Sequence, residues 1–272
     1  MNKNPYQTPT LESDTIAVLS KQLMDTNSKL AEANEKLEAN AKSRQEMLAN
    51  LSHDLRAPIT AIRNTLDIIN SSKNISQEEF VSYLQLINRR TETLENLIND
   101  IYYLCSLEST PLHLEKIDII TLLDEYYYDI LCDKRFEQRI LKLNMMADSP
   151  IYMNIDIHKF IRVLDNLFIN ALKFSEDNTD IILNAYMDVV CQTFTIQVQD
   201  HGIGIPSNCL TRIFDRSYTV SSSRTPGNKS GSGLGLAIAK TIIEQHNGFI
   251  VCESKEGIGS SFIITLPILS YS

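Results

Sequence analysis

The chain has 272 residues, with 34 acidic side chains against 25 basic ones and a formal net charge of -9. An acidic balance argues against nucleic acid or anionic membrane surface as a partner, because both select basic protein surface, and the length is enough for two modest cores. No apolar run approaches the roughly 18 residues of a membrane span, the opening MNKNPYQTPT lacks the apolar core of a secretory signal, and five dispersed cysteines without a CxxC pair predict reduced thiols in the cytoplasm.

The chain is asymmetric. All nine glycines lie at or after Gly202, and between Pro9 and Pro111 the only proline is Pro58. A segment almost free of both breakers is predicted to be long helix, and a glycine-rich remainder predicts tight turns or backbone close to a ligand. The first helix is expected from about Thr15. Leu23, Leu30 and Leu37 repeat at seven residues, and Leu51 keeps that register beyond a polar break at Arg44. Leu48, Leu55, Ile59, Ile62, Leu66 and Ile69 then recur at helical spacing until SSKNIS ends the helix. Ser76 with Glu79 has the form of a capping box opening a second helix. Its seam is Phe80, Leu84, Ile87, Thr91, Leu94, Ile98, Ile101 and Cys105. A two-helix hairpin covers such a seam poorly by itself. Two copies cover it as a four-helix bundle, which predicts a homodimer.

In Leu51-Ser52-His53-Asp54-Leu55-Arg56-Ala57-Pro58, His53 falls one position past the seam, on the exposed flank of the first helix. A carboxylate that hydrogen-bonds one imidazole nitrogen leaves the other as a lone-pair nucleophile, and Asp54 is adjacent. Pro58 removes a backbone donor and predicts a bend.

After Pro111 the pattern becomes mixed. A helix is predicted over Ile117–Asp133, led in by Asp118. Short strands follow at Arg139–Met145 and Ile151–Met153, then a helix capped by Asp156 and running to about Phe174. A hairpin is expected from Ile181–Met187 and Cys191–Gln199. A polar stretch over Pro206–Ser232 precedes a helix of about 14 residues from near Gly233 (mean helix lengths run near 11–12). Strands Phe249–Glu253 and Ser261–Leu266 close the chain around a Gly257/Gly259 turn. This order predicts one mixed sheet with helices on one face, an α+β sandwich following an all-α hairpin.

Three clusters in the second part carry chemistry. Asn166, Asn170 and Lys173 lie at i, i+4 and i+7, on one helical face opposite Leu164, Leu167, Phe168 and Leu172. Two amides and an ammonium suit a phosphate–magnesium group. Asp200-His201-Gly202-Ile203-Gly204-Ile205 ends a predicted strand. Its glycines permit close backbone approach to a planar ligand, and Asp200 can accept from an exocyclic amine. Gly231-Ser232-Gly233-Leu234-Gly235-Leu236 opens a helix whose first N–H groups face an anion. Arg212, Arg216, Arg224 and Lys229 against Asp215 make the intervening stretch a basic flap.

These motifs, in this order, resemble the sensor histidine kinases of two-component systems over about residues 44–268. His53–Pro58 resembles the H box, Asn166–Phe174 the N box, Asp200–Ile205 the G1 box, Ile213–Tyr218 the F box and Gly231–Leu236 the G2 box. The resemblance implies an N-terminal tail and signalling or coiled-coil helix over residues 1–43, a dimerisation and histidine phosphotransfer hairpin over 44–110, and a Bergerat-type ATP-binding domain over 111–272. It implies autophosphorylation of His53 from ATP and Mg2+, with Asp54 as the adjacent acid, and transfer to an aspartate of a response regulator receiver domain. By the same resemblance Asn170 is the magnesium ligand. The nucleotide is met by Asn166, Lys173, Phe174, Asp200, Gly202, Gly204, Ile205, Arg216, Tyr218, Gly231, Ser232, Gly233, Leu234 and Gly235. An upstream sensor partner would act through the N-terminal helix. Other ATPases of this nucleotide-binding fold, among chaperones, topoisomerases and mismatch-repair proteins, lack the H-box hairpin.

The chain departs from the family pattern at Ser217, where an aromatic is common, at Thr219, where a basic residue is common, and at Ala57, where threonine or asparagine is frequent. Residue 57 follows His53 by four, on the same helical face, and alanine cannot hold the water that hydrolyses an aspartyl phosphate. Ala57→Thr is therefore expected to speed the decay of purified phospho-regulator while autophosphorylation stays near wild type. Rapid ADP-independent decay with the unmodified chain, unchanged by Ala57→Thr, would show that the missing hydroxyl is irrelevant.

Overall fold

A computed structural model describes residues 10–72, 74–107, 110–146, 149–188, 190–216, 218–220 and 233–268. The chain falls into two compact units, one ending at His53 and one beginning at Asp54. In the first unit the described residues are the opening of helix α1 (Thr10–Ser71). Its apolar row is bare: Ile16, Leu19, Leu23, Leu30 and Leu37 are 58–67% exposed. The helix starts before Thr15 and continues as helix through Arg44 and Pro58.

In the second unit α1 ends at Ser71, as the SSKNIS break predicts, and α2 spans Gln77–Leu107. The capping box forms: Ser76 N–H donates to Glu79 Oε2 at 3.0 Å, and Glu79 N–H donates to Ser76 Oγ at 3.2 Å. These bonds hold the Glu79 carboxyl below its ordinary pKa. The predicted α2 seam is only partly covered within one chain. Phe80, Leu84, Ile98 and Cys105 are exposed, whereas Leu97, Leu104 and Leu107 are buried on another face. The end of α2 meets the next domain. Gln245 Nε2 donates to Leu107 O at 2.7 Å, and Arg162 donates to Asp100 Oδ1 at 2.5 Å.

The remaining elements are β1 (Glu115–Asp118), α3 (Ile119–Cys132), β2 (Ile140–Met146), β3 (Tyr152–Ile155), α4 (Ile157–Phe174), β4 (Asp180–Asp188), β5 (Thr193–Asp200), α5 (Gly235–Gln245), β6 (Phe249–Lys255) and β7 (Gly259–Pro267). The sheet order is β2-β4-β5-β7-β6. Only β2 and β4 run parallel; a separate antiparallel pair joins β1 to β3. Alternation along the strands sends Ile181, Leu183 and Ala185 of β4, Phe194, Ile196 and Val198 of β5, and Phe262, Ile264 and Leu266 of β7 inward. They share the core with Phe160, Val163, Leu164, Leu167 and Phe168 of α4 and with Ile238, Ile242 and Ile243 of α5. Phe168 receives the rings of Tyr126 and Phe136 edge-on, at centroid distances of 5.6 and 6.2 Å. Truncating such a phenylalanine to alanine costs about 3–5 kcal/mol.

Several predicted elements shift: the strand expected over Ile151–Met153 is Tyr152–Ile155, and that expected over Cys191–Gln199 is Thr193–Asp200. Ile117 belongs to β1 rather than to the following helix, because it pairs across to Met153, a partner that local periodicity does not reveal. Asp118 remains the cap, accepting from Ile120 N–H at 3.2 Å. The G2-box helix α5 begins at Gly235 and has 11 residues, fewer than the 14 expected.

His246, just after α5, ties three elements together. Its Nδ1 lies 2.8 Å from Ile242 O, and its Nε2 accepts from Asp156 N–H at 3.0 Å. The first contact requires a proton on Nδ1, so Nε2 is the unprotonated nitrogen. Asp156 caps α4 by accepting from Lys159 N–H, and its other oxygen accepts from His113 N–H in the segment leading from α2. Burial holds the His246 pKa below its ordinary 6.5. The unfolded chain then binds more protons than the folded one in the window just below 6.5, so this contribution is intact above 6.5 and is lost as pH falls through that window. His246→Leu is expected to lower stability by about 1–3 kcal/mol, from the orphaned Asp156 N–H. It should also flatten the decline of denaturant midpoint between pH 7 and pH 5. Parallel pH profiles for both proteins would contradict this account.

Candidate functional site

Helix α4 sorts its residues by side. Val163, Leu164, Leu167, Phe168 and Ala171 are buried, and Asn166, Asn170 and Lys173 are half-buried on the remaining face. Lys173 makes no ion pair among the described residues. Its ammonium stands 4.9 Å from the centroid of the Phe174 ring, and burial pulls its pKa down to about 8. Nδ2 of Asn166 is inaccessible and has no hydrogen-bond partner among the described residues. A buried donor left unpaired costs about 1–3 kcal/mol, so a ligand oxygen beside it would recover that cost. Helix α5 starts against this amide: a β-carbon added at Gly235 would lie 3.1 Å from Asn166 Oδ1. The N and G2 boxes, far apart in sequence, therefore meet through the absence of a side chain at Gly235.

The G1 box is clamped on both sides. A β-carbon at Gly202 would lie 2.2 Å from Phe174 O, inside any allowed contact, and Ile203 N–H donates to Phe174 O at 3.1 Å. On the other side, Gly257 N–H donates to Ile203 O at 2.8 Å. Gly204 adopts φ +68°, and a β-carbon there would lie 2.1 Å from Lys255 O. Asp200, at the end of β5, is 4% exposed. Its Oδ1 accepts from Gly202 N–H at 2.9 Å and from Ser260 N–H at 3.3 Å, while Oδ2 has no hydrogen bond among the described residues. Burial raises the carboxyl pKa, and the two N–H bonds and His201 oppose that rise. Oδ2 is thus an acceptor held in place by the backbone bonds to Oδ1.

The F box packs by its apolar members. Ile213 is buried, and Phe214 meets Phe262 edge-on at 6.5 Å and 87°. Tyr218 lies under the Arg212 guanidinium at 4.5 Å, and Arg212 is 3.5 Å from Asp215. Tyr218 is therefore engaged within its own segment. Arg216, Thr219 and Leu234 are each engaged by neighbours, and Gly233 has φ +65°. Gly231, Ser232, Ser217, Arg224 and Lys229 lie outside the described residues. On α1, His53 is exposed and Asp54 is half-buried. A separate hollow of about 270 Å³ between α3 and α4 contains the Tyr126–Asp165 pair and none of the predicted site residues.

Sequence reasoning missed two residues at this site, Ser254 and Ser260. Ser260 pairs with Asp200 on one side and with Ser254 on the other. Such register across three strands has no local sequence signal. Among the described residues no group of three or more histidine, cysteine or carboxylate side chains is placed to hold a metal, and no helix is long and apolar enough to cross a membrane.

Two family models match adjacent parts of the chain: the His Kinase A (phospho-acceptor) domain over residues 43–110, and the histidine kinase-, DNA gyrase B- and HSP90-like ATPase over residues 155–270. The chain belongs to the sensor histidine kinases of two-component systems. It is 34% identical to the sensor protein kinase WalK of Staphylococcus epidermidis over 231 residues, covering 83% of this chain and 37% of that protein. It is 33% identical to WalK of Staphylococcus aureus, covering 83% of this chain and 54% of that sequence. The chain therefore spans about a third to a half of the length of these relatives. In fold it is similar to histidine kinase ThkA, solved in complex with response regulator protein TrrA, at TM-score 0.66 and 22% identity, covering 85% of this chain and 66% of that one. It is also similar to the Acinetobacter baumannii histidine kinase AdeS at TM-score 0.59 and 22% identity, covering 80% and 98%.

If ATP phosphates lie beside Lys173, binding favours the ammonium and takes up a proton once pH exceeds about 8. Affinity for ATP is expected to fall as pH rises from 7.5 to 9, approaching tenfold per pH unit at the upper end. Lys173→Gln should bind more weakly at pH 7.5 and lose that slope. Calorimetry showing the same slope in wild type and variant would remove Lys173 from the phosphate site.

Proposed function

We propose that the chain is an ATP-dependent protein-histidine kinase that phosphorylates itself on His53 and passes the phosphoryl group to an aspartate of a response regulator. The observation that carries this reading is the unpaired Asn166 amide on the Asn166–Asn170–Lys173 face, against which Gly235 brings α5. That face suits a phosphate ligand, and the same chain carries His53 beside Asp54 on α1. Asn166 and Lys173 would meet phosphate oxygens. Phe174, Gly202, Gly204 and Ile205 would line the base, and Asp200 Oδ2 would accept from the adenine amine. Arg216, Tyr218 and the segment Gly231–Gly235 would border the phosphates. Asn170 would supply an amide oxygen to Mg2+, which would offset phosphate charge when bound.

In the transfer, a lone pair of the neutral His53 imidazole forms a bond to the γ-phosphorus while the bond to the leaving oxygen of ADP breaks. Asp54 orients the ring and favours its positive charge as that bond forms. We further assign residues 1–43 to a tail and signalling helix, 44–110 to the phosphotransfer hairpin and 111–272 to the ATP-binding domain. The exposed α2 seam supports a homodimer through the hairpin, and the bare leucine row of α1 supports an upstream sensor partner. The thiols, none of them in a disulfide, support a reducing cytoplasm.

The test is incubation with γ-labelled ATP and Mg2+, followed by acid and base treatment of the labelled protein. Phosphohistidine is acid-labile and base-stable. Wild type is expected to take up such label and His53→Gln to take up none while still binding ATP. Asp54→Asn should slow labelling by roughly 10²–10⁴-fold, the range of acid–base groups. Undiminished acid-labile label on His53→Gln would overturn the assignment.

A further inference from the structure

Asp200 Oδ1 is occupied by two backbone donors, so only Oδ2 remains to read a ligand. How well it reads depends on how firmly those two donors are held. One comes from the loop after β5, at Gly202. The other comes from the start of β7, at Ser260. Beside the backbone bond from Gly257 N–H to Ile203 O, one side-chain hydroxyl joins the two segments. Ser254, on β6, accepts from Ile205 N–H at 2.8 Å and donates to Gly259 O at 2.8 Å. Ser260 Oγ lies 3.0 Å from the same oxygen. The one proton of Ser254 is committed to Gly259, so Ser260 is the donor in that contact. The Ser254 oxygen therefore gives one hydrogen bond and takes two.

The neighbouring backbone leaves little other adjustment. A β-carbon at Gly259 would lie 2.1 Å from Asp200 O, and one at Gly204 would lie 2.1 Å from Lys255 O. The strands can approach this closely only while loop and turn keep their relative position. Ser254 is the side chain that hydrogen-bonds both.

We infer that Ser254 is a positioning residue that sets the selectivity of Asp200 for a base bearing an exocyclic amine. This rests on the reading of Asp200 as the adenine acceptor. Adenine offers Oδ2 a donor where guanine offers a carbonyl oxygen, so discrimination depends on Oδ2 being unable to move aside. Without the Ser254 hydroxyl, Ile205 N–H and Gly259 O lose their partner, and loop and turn can separate. Asp200 can then retreat from a guanine carbonyl, and adenine loses its fixed acceptor.

Ser254→Ala is expected to weaken ATP binding about tenfold and to lower the ATP-to-GTP affinity ratio severalfold. Labelling of His53 at saturating ATP should stay near wild type, so the defect appears in KM rather than kcat. Ser254→Thr keeps the hydroxyl and should restore the ratio. Ser254→Cys keeps the volume, weakens the hydrogen bonds and should behave like the alanine variant. A purely structural role would lower the melting temperature of all variants without moving the ratio. Calorimetry with ATP and GTP on these chains and on Asp200→Asn separates the possibilities. If Asp200→Asn leaves the ratio unchanged, the adenine reading fails and this inference with it. If Asp200→Asn removes discrimination and Ser254→Ala leaves it intact, this inference alone is overturned.

Discussion

A carboxylate is buried at the end of a central strand, and the second half of the molecule is arranged around that fact. Asp200 lies between β4 and β7, almost fully enclosed. Burying a carboxylate is costly unless donors compensate. Here the compensation comes from backbone N–H groups at Gly202 and Ser260, which requires the loop and the strand to approach within hydrogen-bond reach. That approach leaves no room for side chains at Gly202 and Gly259. Gly202 and Gly259 are a consequence of this geometry, and Gly202 also brings the loop against the last residue of α4.

The compensation is incomplete in a particular way. Among the described residues Asp200 keeps one oxygen without a hydrogen bond, Asn166 keeps one amide hydrogen-bond donor without a partner, and Lys173 keeps a charge with its pKa lowered by burial. Each is unfavourable in the isolated chain, and under the proposed function a ligand presenting an amine at one end and anionic oxygens at the other would relieve all three. Relief of destabilised groups by a ligand is one way binding free energy becomes specificity. Phe174 O takes the Ile203 N–H and so joins the end of α4 to the G1 loop that follows Asp200.

The helical part follows a different rule. Its apolar residues do not converge within one chain. Leu23, Leu30 and Leu37 of α1 and much of the α2 seam are exposed, whereas Leu97, Leu104 and Leu107 are buried. One helix thus presents two faces, one used by its own chain and one offering contact area to another. The junction between α2 and the ATP-binding domain includes polar contacts: Arg162 with Asp100, and Gln245 with the Leu107 carbonyl. Polar junctions of this kind exchange partners with water at low cost, unlike the apolar contacts inside the sandwich.

The sequence by itself determined what local chemistry can determine. Helix starts at Ser76, Asp118 and Asp156 were legible because capping is a contact between residues a few positions apart. The polar face of α4 was legible because helical periodicity places residues 166, 170 and 173 together in any helix. The motif order likewise identified the family. Tertiary structure alone decided the pairings across strands. These put β1 where a helix start was predicted, brought Ser260 to Asp200 and Ser254 to Ile205, and set Gly235 against Asn166. Those contacts join residues tens of positions apart, and register, rather than composition, selects them. Ser254 stood in a strand with nothing to mark it. Its role exists only because β5, β7 and β6 lie side by side in the same sheet.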